Sequence, residues 1–293
     1  MSNSKSFAIR KSVISAFVPV AGLGLMFAAQ PADAGIADTK HNLGSTNKTL
    51  DGGTNGNKFS GTAEICVFCH TPHGADTAAA VPLWNRVLHN TSIYSTFDQL
   101  GTSTLDGQIL PVGSVSLACL SCHDGTQALN VMLNAPGSGG YNVSGGTMAG
   151  QWDIRGLAST KNGAMNYDSI VYIGSDLKND HPIGIEFCGG GLTGTGSTVS
   201  GTCRDDSFNG SAVKTRQVGP IPTFWVDTNG DGTRQKTDFA LYTRQATAGA
   251  FQGLNAPFVE CASCHDPHVT NTTFLRRTNG NDGSGVCLTC HNK

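Results

Sequence analysis

Two cysteines three positions apart, followed directly by a histidine, occur four times in this chain. The copies are Cys66-Val67-Phe68-Cys69-His70, Cys119-Leu120-Ser121-Cys122-His123, Cys261-Ala262-Ser263-Cys264-His265 and Cys287-Leu288-Thr289-Cys290-His291. Cysteines at this spacing lie one helical turn apart, so both sulfurs can reach one edge of a porphyrin while the next imidazole binds its iron. The pattern predicts four covalently attached c-type haems, with His70, His123, His265 and His291 as proximal iron ligands.

Zinc binding and disulfide bonding are the two alternative uses of these cysteines. Paired Cys-x-x-Cys sites bind zinc as four-cysteine clusters, but zinc does not account for the histidine after every pair. A disulfide between cysteines three positions apart would close a small and strained loop. Haem attachment therefore explains the pattern best.

The four copies form two larger units. The first and third copies continue as Cys-x-x-Cys-His-x-Pro-His, ending at His73 and His268, whereas the second and fourth read Cys-Leu-x-Cys-His. A His-x-aliphatic-Gly segment precedes each unit, at His41 and His181. We interpret the repeat as a duplicated dihaem module. The predicted domains are an N-terminal dihaem module at 35–130, a Gly-rich insert at 131–180 and a C-terminal dihaem module at 181–293.

The remaining histidines supply candidates for the distal iron ligands. The chain has nine histidines, and four of the five outside the haem motifs recur in both units: His41, His73, His181 and His268. We predict these four as distal ligands and the fifth, His89, as a surface residue. With an imidazole on both faces every iron is six-coordinate, which favours electron transfer over catalysis at the metal and implies lower potentials than His/Met ligation.

Chain spacing suggests which haem each distal histidine serves. His73 lies only three residues after His70, on the same side of that ring, so it is expected to reach the second haem of its module. By the same argument His268 is expected to reach the haem on Cys287 and Cys290. His41 and His181 would then complete the two haems of the Cys-x-x-Cys-His-x-Pro-His copies.

Residues 1–34 have the pattern of an export signal. A positively charged head ending at Lys11 precedes the apolar segment Ser12–Ala29, and Ala32-Asp33-Ala34 is a small-x-small cleavage site. An uncleaved membrane anchor is the alternative. Export fits haem attachment outside the cytoplasm, and we expect an extracellular or outer-surface location, with the periplasm as the alternative.

The composition is unusual for a globular protein. Glycine accounts for 38 of the 293 residues and charged residues for 14%. Such a chain would bury too little apolar surface to offset its ordering entropy, so we expect the haems to form the core and the haem-free chain to be largely unfolded. The formal net charge of −2 argues against nucleic-acid binding, which favours a basic surface.

Two further features lie between the second and third haem motifs. Cys188 and Cys203 are left over, and in an exported protein we expect them to form a disulfide, with free thiols as the alternative. The other feature resembles a calcium loop, in which oxygens at positions 1, 3, 5, 7 and 12 would surround Ca²⁺. Those positions are Asp227, Asn229, Asp231, Thr233 and Asp238.

The calcium pattern has a structural alternative. Asp238 stands where glutamate normally supplies two oxygens, and the flanks Phe224-Trp225-Val226 and Phe239-Ala240-Leu241-Tyr242 are more typical of short strands than of helices. An ordinary turn that joins a β-hairpin explains the Asn-Gly and Asp-Gly pairs equally well.

Several phrases resemble the multihaem cytochromes with doubled haem motifs, in particular the tetrahaem outer-surface nanowire cytochromes of metal-reducing bacteria. The resemblance covers about residues 36–125 and 181–293. It lies in the phrases Cys66-Val-Phe-Cys-His-Thr-Pro-His73, Pro82-Leu-Trp-Asn-Arg86, Ser116-Leu-Ala-Cys-Leu-Ser-Cys-His-Asp-Gly125, His181-Pro-Ile-Gly184 and Val259-Glu-Cys-Ala-Ser-Cys-His-Asp-Pro-His268.

The resemblance implies a fold of mostly irregular coil and turn, with few short helices and strands around a haem stack. It also implies assembly with copies of itself, head to tail, into an extracellular conductive filament in which one distal histidine crosses between subunits. His41, near the mature N-terminus, is the candidate for that crossing, with a role inside its own chain as the alternative. Redox partner proteins or extracellular acceptors would exchange electrons with it. A monomeric periplasmic shuttle and, less favoured, a multihaem reductase are the competing functions.

Overall fold

The structure is a computed structural model, and it describes seven ranges of the chain. These are residues 35–47, 58–137, 139–153, 163–249, 251–271, 273–277 and 281–292. The predicted export signal, residues 1–34, lies outside them. All the described residues belong to one compact unit.

Helices in the described ranges are short, and each haem motif lies on one. The first motif begins on the 3-10 helix Cys66–Phe68, the second ends α1 (Ser114–His123), and the third and fourth form α2 (Cys261–Cys264) and α3 (Cys287–Cys290). No helix of the described ranges is long and apolar enough to cross a membrane. The other 3-10 helices are Ile36–Asp38, Thr91–Ile93, Phe97–Leu100, Phe187–Gly189, Gly210–Ala212 and Asp282–Ser284.

Proline keeps the chain extended after the first and third motif turns. His265, directly after α2, already has extended dihedral angles of −102° and 142°. The next residue, Asp266, precedes Pro267, and the proline ring disfavours helical angles at the residue before it. Pro72 stands at the equivalent place after the first motif. Each motif is therefore held as a single turn that leads into extended chain.

Nine strands form three antiparallel sheets within the described ranges. A five-stranded sheet has the order β3-β9-β8-β7-β6, and β1-β2 and β4-β5 are separate two-stranded pairs. The strands are β1 Val131–Asn134, β2 Tyr141–Thr147, β3 Ile185–Glu186, β4 Leu192–Thr195, β5 Thr198–Gly201, β6 Val213–Val218, β7 Ile221–Val226, β8 Phe239–Gln245 and β9 Asn255–Val259. The described part is thus rich in sheet, and the predicted irregular fold around a haem stack stays a prediction.

The five-stranded sheet carries a buried apolar cluster, and Cys264 of the third haem motif and Cys290 of the fourth pack against it. Strands β7 and β8 pair with Val226 opposite Phe239, which confirms the two strands predicted on either side of the Asp-rich loop. Phe224 and Leu241 are almost fully buried in the same cluster. Cys188 also packs there and is bonded to Cys203, so the predicted disulfide is confirmed. A cross-link that closes a loop of this length contributes about 3 kcal/mol.

Smaller apolar clusters surround the first two haem motifs. One contains Phe59, Phe68 and Met132, and Cys69 packs against it. Another contains Leu117 and Leu120 of α1. The apolar interior is therefore divided into several patches, and cysteines of the haem motifs lie at their edges.

Arg86 connects two of these patches through its side chain. It is completely buried. Its guanidinium donates hydrogen bonds of 2.9–3.1 Å to four backbone carbonyls, those of Ser121, Ala128, Leu129 and Val131. A buried charge is costly unless polar groups surround it, and the planar five-donor guanidinium can satisfy several carbonyls at once. Arg86 thereby joins its own loop to the end of α1 and the start of β1.

Replacing Arg86 should therefore destabilise the protein strongly. We expect Arg86→Lys to lower the free energy of unfolding of the holoprotein by about 3 kcal/mol, because an ammonium cannot reach all four carbonyls and leaves buried acceptors unpaired. Chemical denaturation followed by circular dichroism measures this. Arg216→Lys, at an exposed position of β6, is the matched control and should change stability by less than about 0.5 kcal/mol. Equal effects of the two substitutions would contradict the role given to Arg86.

Candidate functional site

The cysteines of the four haem motifs form no disulfides within the described ranges and differ in exposure. Those of the first and fourth motifs include exposed residues, Cys66 and Cys287, and the others are partly buried. In each single-turn motif the histidine N–H returns to the carbonyl of the first cysteine, as from His70 to Cys66 at 2.7 Å and from His291 to Cys287 at 2.9 Å. The turn thus presents two thiols and one imidazole together, which are the groups that attach and ligate a c-type haem.

Backbone carbonyls fix the orientation of three motif histidines. The Nδ1 atom of His70 lies 2.8 Å from the carbonyl oxygen of Pro82, that of His123 lies 2.8 Å from Val171, and that of His265 lies 2.9 Å from Thr273. A neutral imidazole that donates from Nδ1 carries its lone pair on Nε2. A hydrogen bond of this kind from the other ring nitrogen is typical of metal-ligating histidines. The motif histidines therefore fit an iron ligand.

The first and third motifs are held by the same backbone arrangement. After the first motif, the chain returns so that Asn85 N–H donates to Cys69 and Thr71 N–H donates to Leu83. The third motif repeats these two bonds, from Arg276 to Cys264 and from Asp266 to Phe274. Leu83 and Phe274 also share positive φ angles of 58° and 57°, although neither is glycine.

Side chains from the returning segments complete this repeated arrangement. Asn85 donates from its amide to the carbonyl of Val67 at 2.7 Å, and Arg276 donates from Nε to the carbonyl of Ala262 at 3.0 Å. Val67 and Ala262 occupy the same place in their motifs, directly after the first cysteine. The two returning segments share no obvious sequence, so the motif-to-segment pairing was not predicted.

The fourth motif pairs with a different part of the chain. His291 forms a β-bridge with Phe208, and their rings lie 4.2 Å apart. Asn209 N–H donates to the Cys290 carbonyl, and Asn292 N–H donates to the Ser207 carbonyl. This motif is thus bound to the segment that follows the Cys188–Cys203 disulfide.

Neighbouring motifs meet in chain order. The thiols of Cys119 and Cys261 lie close enough that each shifts the pKa of the other, upward at Cys119 and downward at Cys261, which places the second motif beside the third. Burial raises the pKa of Cys69 to about 12, and the nearby Cys122 thiol adds to the shift. Burial likewise raises the pKa of Cys264 to about 11, with contributions from Cys261 and Cys287. The first motif is therefore close to the second, and the third is close to the fourth.

Glu260 and Ser116 hold the second and third motifs together. Ser116, on α1, donates a 2.5 Å hydrogen bond to the Glu260 carboxylate and accepts one from the N–H of Cys261. Arg244 pairs with the same carboxylate at 3.2 Å, and the Glu260 side chain is fully buried. Burial raises the pKa of Glu260 to about 7, although the Ser116 and Arg244 interactions lower it. Sequence reasoning missed this network, since its three members lie far apart along the chain.

Two of the predicted distal ligands lie beside motif histidines. The ring centroid of His268 is 6.3 Å from that of His70, and the ring centroid of His41 is 6.2 Å from that of His123. His41 also stacks directly on Phe274 at 4.3 Å. Burial, with a smaller effect of His123, lowers the pKa of His41 to about 4, so this imidazole is neutral near pH 7.

The other histidines outside the motifs are placed differently. His73 and His181 are exposed. His89 was predicted to be a surface residue, and it is partly exposed. Its side chain is half-buried, and its Nε2 atom is buried with no hydrogen-bond partner among the described residues.

The Asp-rich loop forms the connection between strands β7 and β8. Gly230 and Gly232 donate backbone hydrogen bonds of 2.8 Å to the two oxygens of the Asp227 carboxylate. Burial opposes ionisation of Asp227, but these and the Asn229 N–H hold its pKa below the ordinary value. Asp238 accepts bonds from Thr228 and Gln235. Both carboxylates are thus used within the loop.

The loop joins two paired strands, as in the predicted hairpin turn. Asn229 donates from its amide to Asp231 at 3.0 Å, and the Thr233 N–H also donates to Asp231. No group of three or more histidine, cysteine, aspartate or glutamate side chains within the described ranges is arranged to hold a metal ion. The calcium site stays a prediction.

One protein-family model matches the C-terminal part of the chain. The doubled CXXCH motif family matches residues 256–293, the segment that carries the third and fourth haem motifs. No curated protein matches the chain. The matched segment indicates covalently bound c-type haem and a multihaem c-type cytochrome involved in electron transfer.

The buried Glu260 should make stability depend on pH. Its folded pKa of about 7 lies above the ordinary value of 4.5. Its stabilising contribution is therefore complete below pH 4.5 and falls as the pH rises towards 7. We expect the free energy of unfolding of the wild-type holoprotein to lose about 2 kcal/mol from this group between pH 5 and pH 7.

Glu260→Gln should remove that part of the pH dependence, because the amide does not titrate. Denaturant unfolding at pH 5 and pH 7 measures the difference for each protein. Glu64→Gln replaces an exposed carboxylate and serves as the matched control. It should keep the wild-type change in the free energy of unfolding between pH 5 and pH 7. A Glu260→Gln protein with the wild-type slope would show that Glu260 titrates normally.

Proposed function

We propose that this chain is an exported tetrahaem c-type cytochrome that passes electrons from haem to haem and assembles with copies of itself into an extracellular filament. A c-type haem supplies a one-electron iron couple, whose potential depends on the axial ligands and on burial. The four motifs of the sequence and the family match over residues 256–293 support the haem-binding part of this proposal.

The proximity of successive motifs is the observation that carries the electron-transfer proposal. Cys69 is close to Cys122, Cys119 is close to Cys261, and Cys264 is close to Cys287. Haems attached at these cysteines would be neighbours in the order of the chain. A continuous row of redox centres suits a carrier of electrons, whereas a catalyst needs only one reactive centre near its substrate.

The number of histidines outside the haem motifs favours an electron carrier over a reductase. Four histidines outside the motifs recur in both units, enough to give each iron a second imidazole. His41 and His268 lie beside motif histidines. Their positions support closed iron sites, whereas a nitrite or sulfite reductase requires an iron with an open position. Binding of nitrite or cyanide to the untreated protein would favour the reductase.

Assembly into a filament is supported by the sequence resemblance, and the role of His41 within it can now be refined. In the single chain His41 stacks on Phe274 and lies beside His123, which supports a role inside its own chain. His73 and His181 are exposed and are better placed to reach a neighbouring copy. The soluble periplasmic shuttle is the second candidate, and it requires no contact between copies.

The number of haems gives the first test. A pyridine haemochrome titration of the mature protein should return about four haems per chain, because each motif attaches one. Cys119→Ala/Cys122→Ala should return about three. Cys188→Ala/Cys203→Ala removes the same number of cysteines outside the motifs and is the matched control, expected to keep about four. Far fewer haems in the wild-type protein would refute the cytochrome assignment.

The second test concerns assembly. Electron microscopy of material sheared from cells should show fibres that contain this chain, and His41→Ala should retain them if His41 acts within its own chain. Loss of fibres in His41→Ala, with fibres present in the wild type, would place His41 between copies instead. Absence of fibres in the wild type would favour the periplasmic shuttle.

A further inference from the structure

Two pairs of histidine rings lie side by side across a gap. The His70 and His268 centroids are 6.3 Å apart with planes inclined by 20°, and the His41 and His123 centroids are 6.2 Å apart with planes inclined by 83°. These rings are too far apart to touch. The direct stack of His41 on Phe274, at 4.3 Å, shows the distance of ordinary ring contact in the same region.

The gap matches the space required by one metal ion between two imidazoles. Metal–imidazole nitrogen bonds are about 2.0 Å long, so an iron bound in line by one nitrogen of each ring would separate the two ring centroids by roughly 6 Å. Rotation about the metal–nitrogen bonds leaves the angle between the ring planes free, so inclinations of 20° and 83° are both compatible. Both pairs also contain one motif histidine, whose position relative to its two cysteines is set by the motif.

In the first pair, the Nδ1 atom of each ring has a hydrogen-bond partner, which leaves Nε2 free to bind a metal. His70 uses Nδ1 for the Pro82 carbonyl at 2.8 Å. The Nδ1 atom of His268 lies 3.2 Å from the carboxylate of Asp266, which Arg276 also contacts. A carboxylate or carbonyl partner on Nδ1 is typical of metal-bound histidine and leaves Nε2 for the metal. Both rings are therefore oriented by fixed acceptors.

The second pair is held by packing. His123 uses Nδ1 for the Val171 carbonyl at 2.8 Å. His41 rests on the Phe274 ring, and its backbone N–H bonds to the Thr39 hydroxyl. Next to it, Asn42 is buried and donates to the Ala37 carbonyl at 2.9 Å. The N-terminal segment is thus a fixed turn that presents His41 to the second motif.

We propose that His70 with His268, and His123 with His41, are the axial pairs of two irons. This proposal rests on the proposed function, since it requires haem at the first two motifs. It differs from the assignment based on chain spacing, in which His41 serves the first motif, His73 the second and His268 the fourth. His268 then carries a ligand from the C-terminal half of the chain to the haem attached at Cys66 and Cys69.

This arrangement would connect the two halves of the chain through a bound iron. An iron held by His70 and His268 is a cross-link between the two halves, formed only when haem is bound. The Ser116–Glu260 hydrogen bond already joins these halves through α1 and α2. Correct attachment at the first motif would therefore depend on folding of the C-terminal half.

Removing one haem at a time tests the pairs. In the full-length chain, Cys66→Ala/Cys69→Ala should attach about three haems, and ferric electron paramagnetic resonance reports whether each remaining iron is low-spin or high-spin. Adding His268→Ala to this variant should produce no high-spin iron, because the haem that His268 serves is already absent. In the tetrahaem protein, His268→Ala should produce one high-spin iron. High-spin iron from His268→Ala in the trihaem background would overturn the His70–His268 pair.

The second pair is tested in the same way with Cys119→Ala/Cys122→Ala and His41→Ala. His181→Ala is the matched control in both backgrounds, because it removes a predicted distal ligand whose haem remains, and it should produce one high-spin iron. If a trihaem variant does not accumulate, single substitutions in the tetrahaem protein still test the pairs. His268→Ala should remove the paramagnetic resonance signal of an iron with near-parallel imidazoles, and His41→Ala should remove that of an iron with near-perpendicular imidazoles. The reverse result would refute the pairs.

The outcome also separates this proposal from the proposed function. A wild-type protein with few or no haems would refute both. A wild-type protein with about four low-spin haems, but with high-spin iron from His268→Ala or His41→Ala in the trihaem backgrounds, would refute only the pairing and leave the cytochrome assignment in place.

Discussion

The hydrogen bond between the Nδ1 atom of a motif histidine and a backbone carbonyl is the interaction on which the rest of the site depends. It is present at His70, His123 and His265, and the accepting residues lie 12, 48 and 8 positions away in the chain. A histidine side chain on a single helical turn could otherwise rotate freely. The bond selects one tautomer and one direction for Nε2. Each returning segment would therefore belong to the iron site of a bound haem, although it contributes only a carbonyl.

Buried polar groups perform much of the work that a large apolar core performs elsewhere. Arg86 satisfies four carbonyls from one buried position, and Glu260 connects α1, β8 and the start of α2 through Ser116 and Arg244. Such groups are costly to bury and stabilise only when all partners are in place. They therefore specify one arrangement of loops that carry little periodic apolar sequence, which suits a chain whose cysteines must stay at fixed separations.

The two halves of the chain, which share the repeated haem motifs, are packed against each other. The first and third motifs share the same returning segment, down to the positive φ angles of Leu83 and Phe274. Some histidine rings nevertheless connect the two halves, with His268 beside His70 and His41 stacked on Phe274. The first and third motifs thus share their local geometry, while histidine rings of one half lie against residues of the other. In an electron carrier, this packing would bring redox centres of both halves together.

The amino-acid sequence by itself determined the chemistry that depends on short spacing. Two thiols and an imidazole on one turn, the strands on either side of the Asp-rich loop, and the Cys188–Cys203 bond all follow from local residue types. Only the tertiary structure decided which distant groups meet: the carbonyls that orient the motif histidines, the partners of Arg86 and Glu260, the half-buried place of His89, and His268 beside His70. These contacts join irregular segments far apart in the chain, where no periodicity records the partner, because long-range packing of the whole chain selects it.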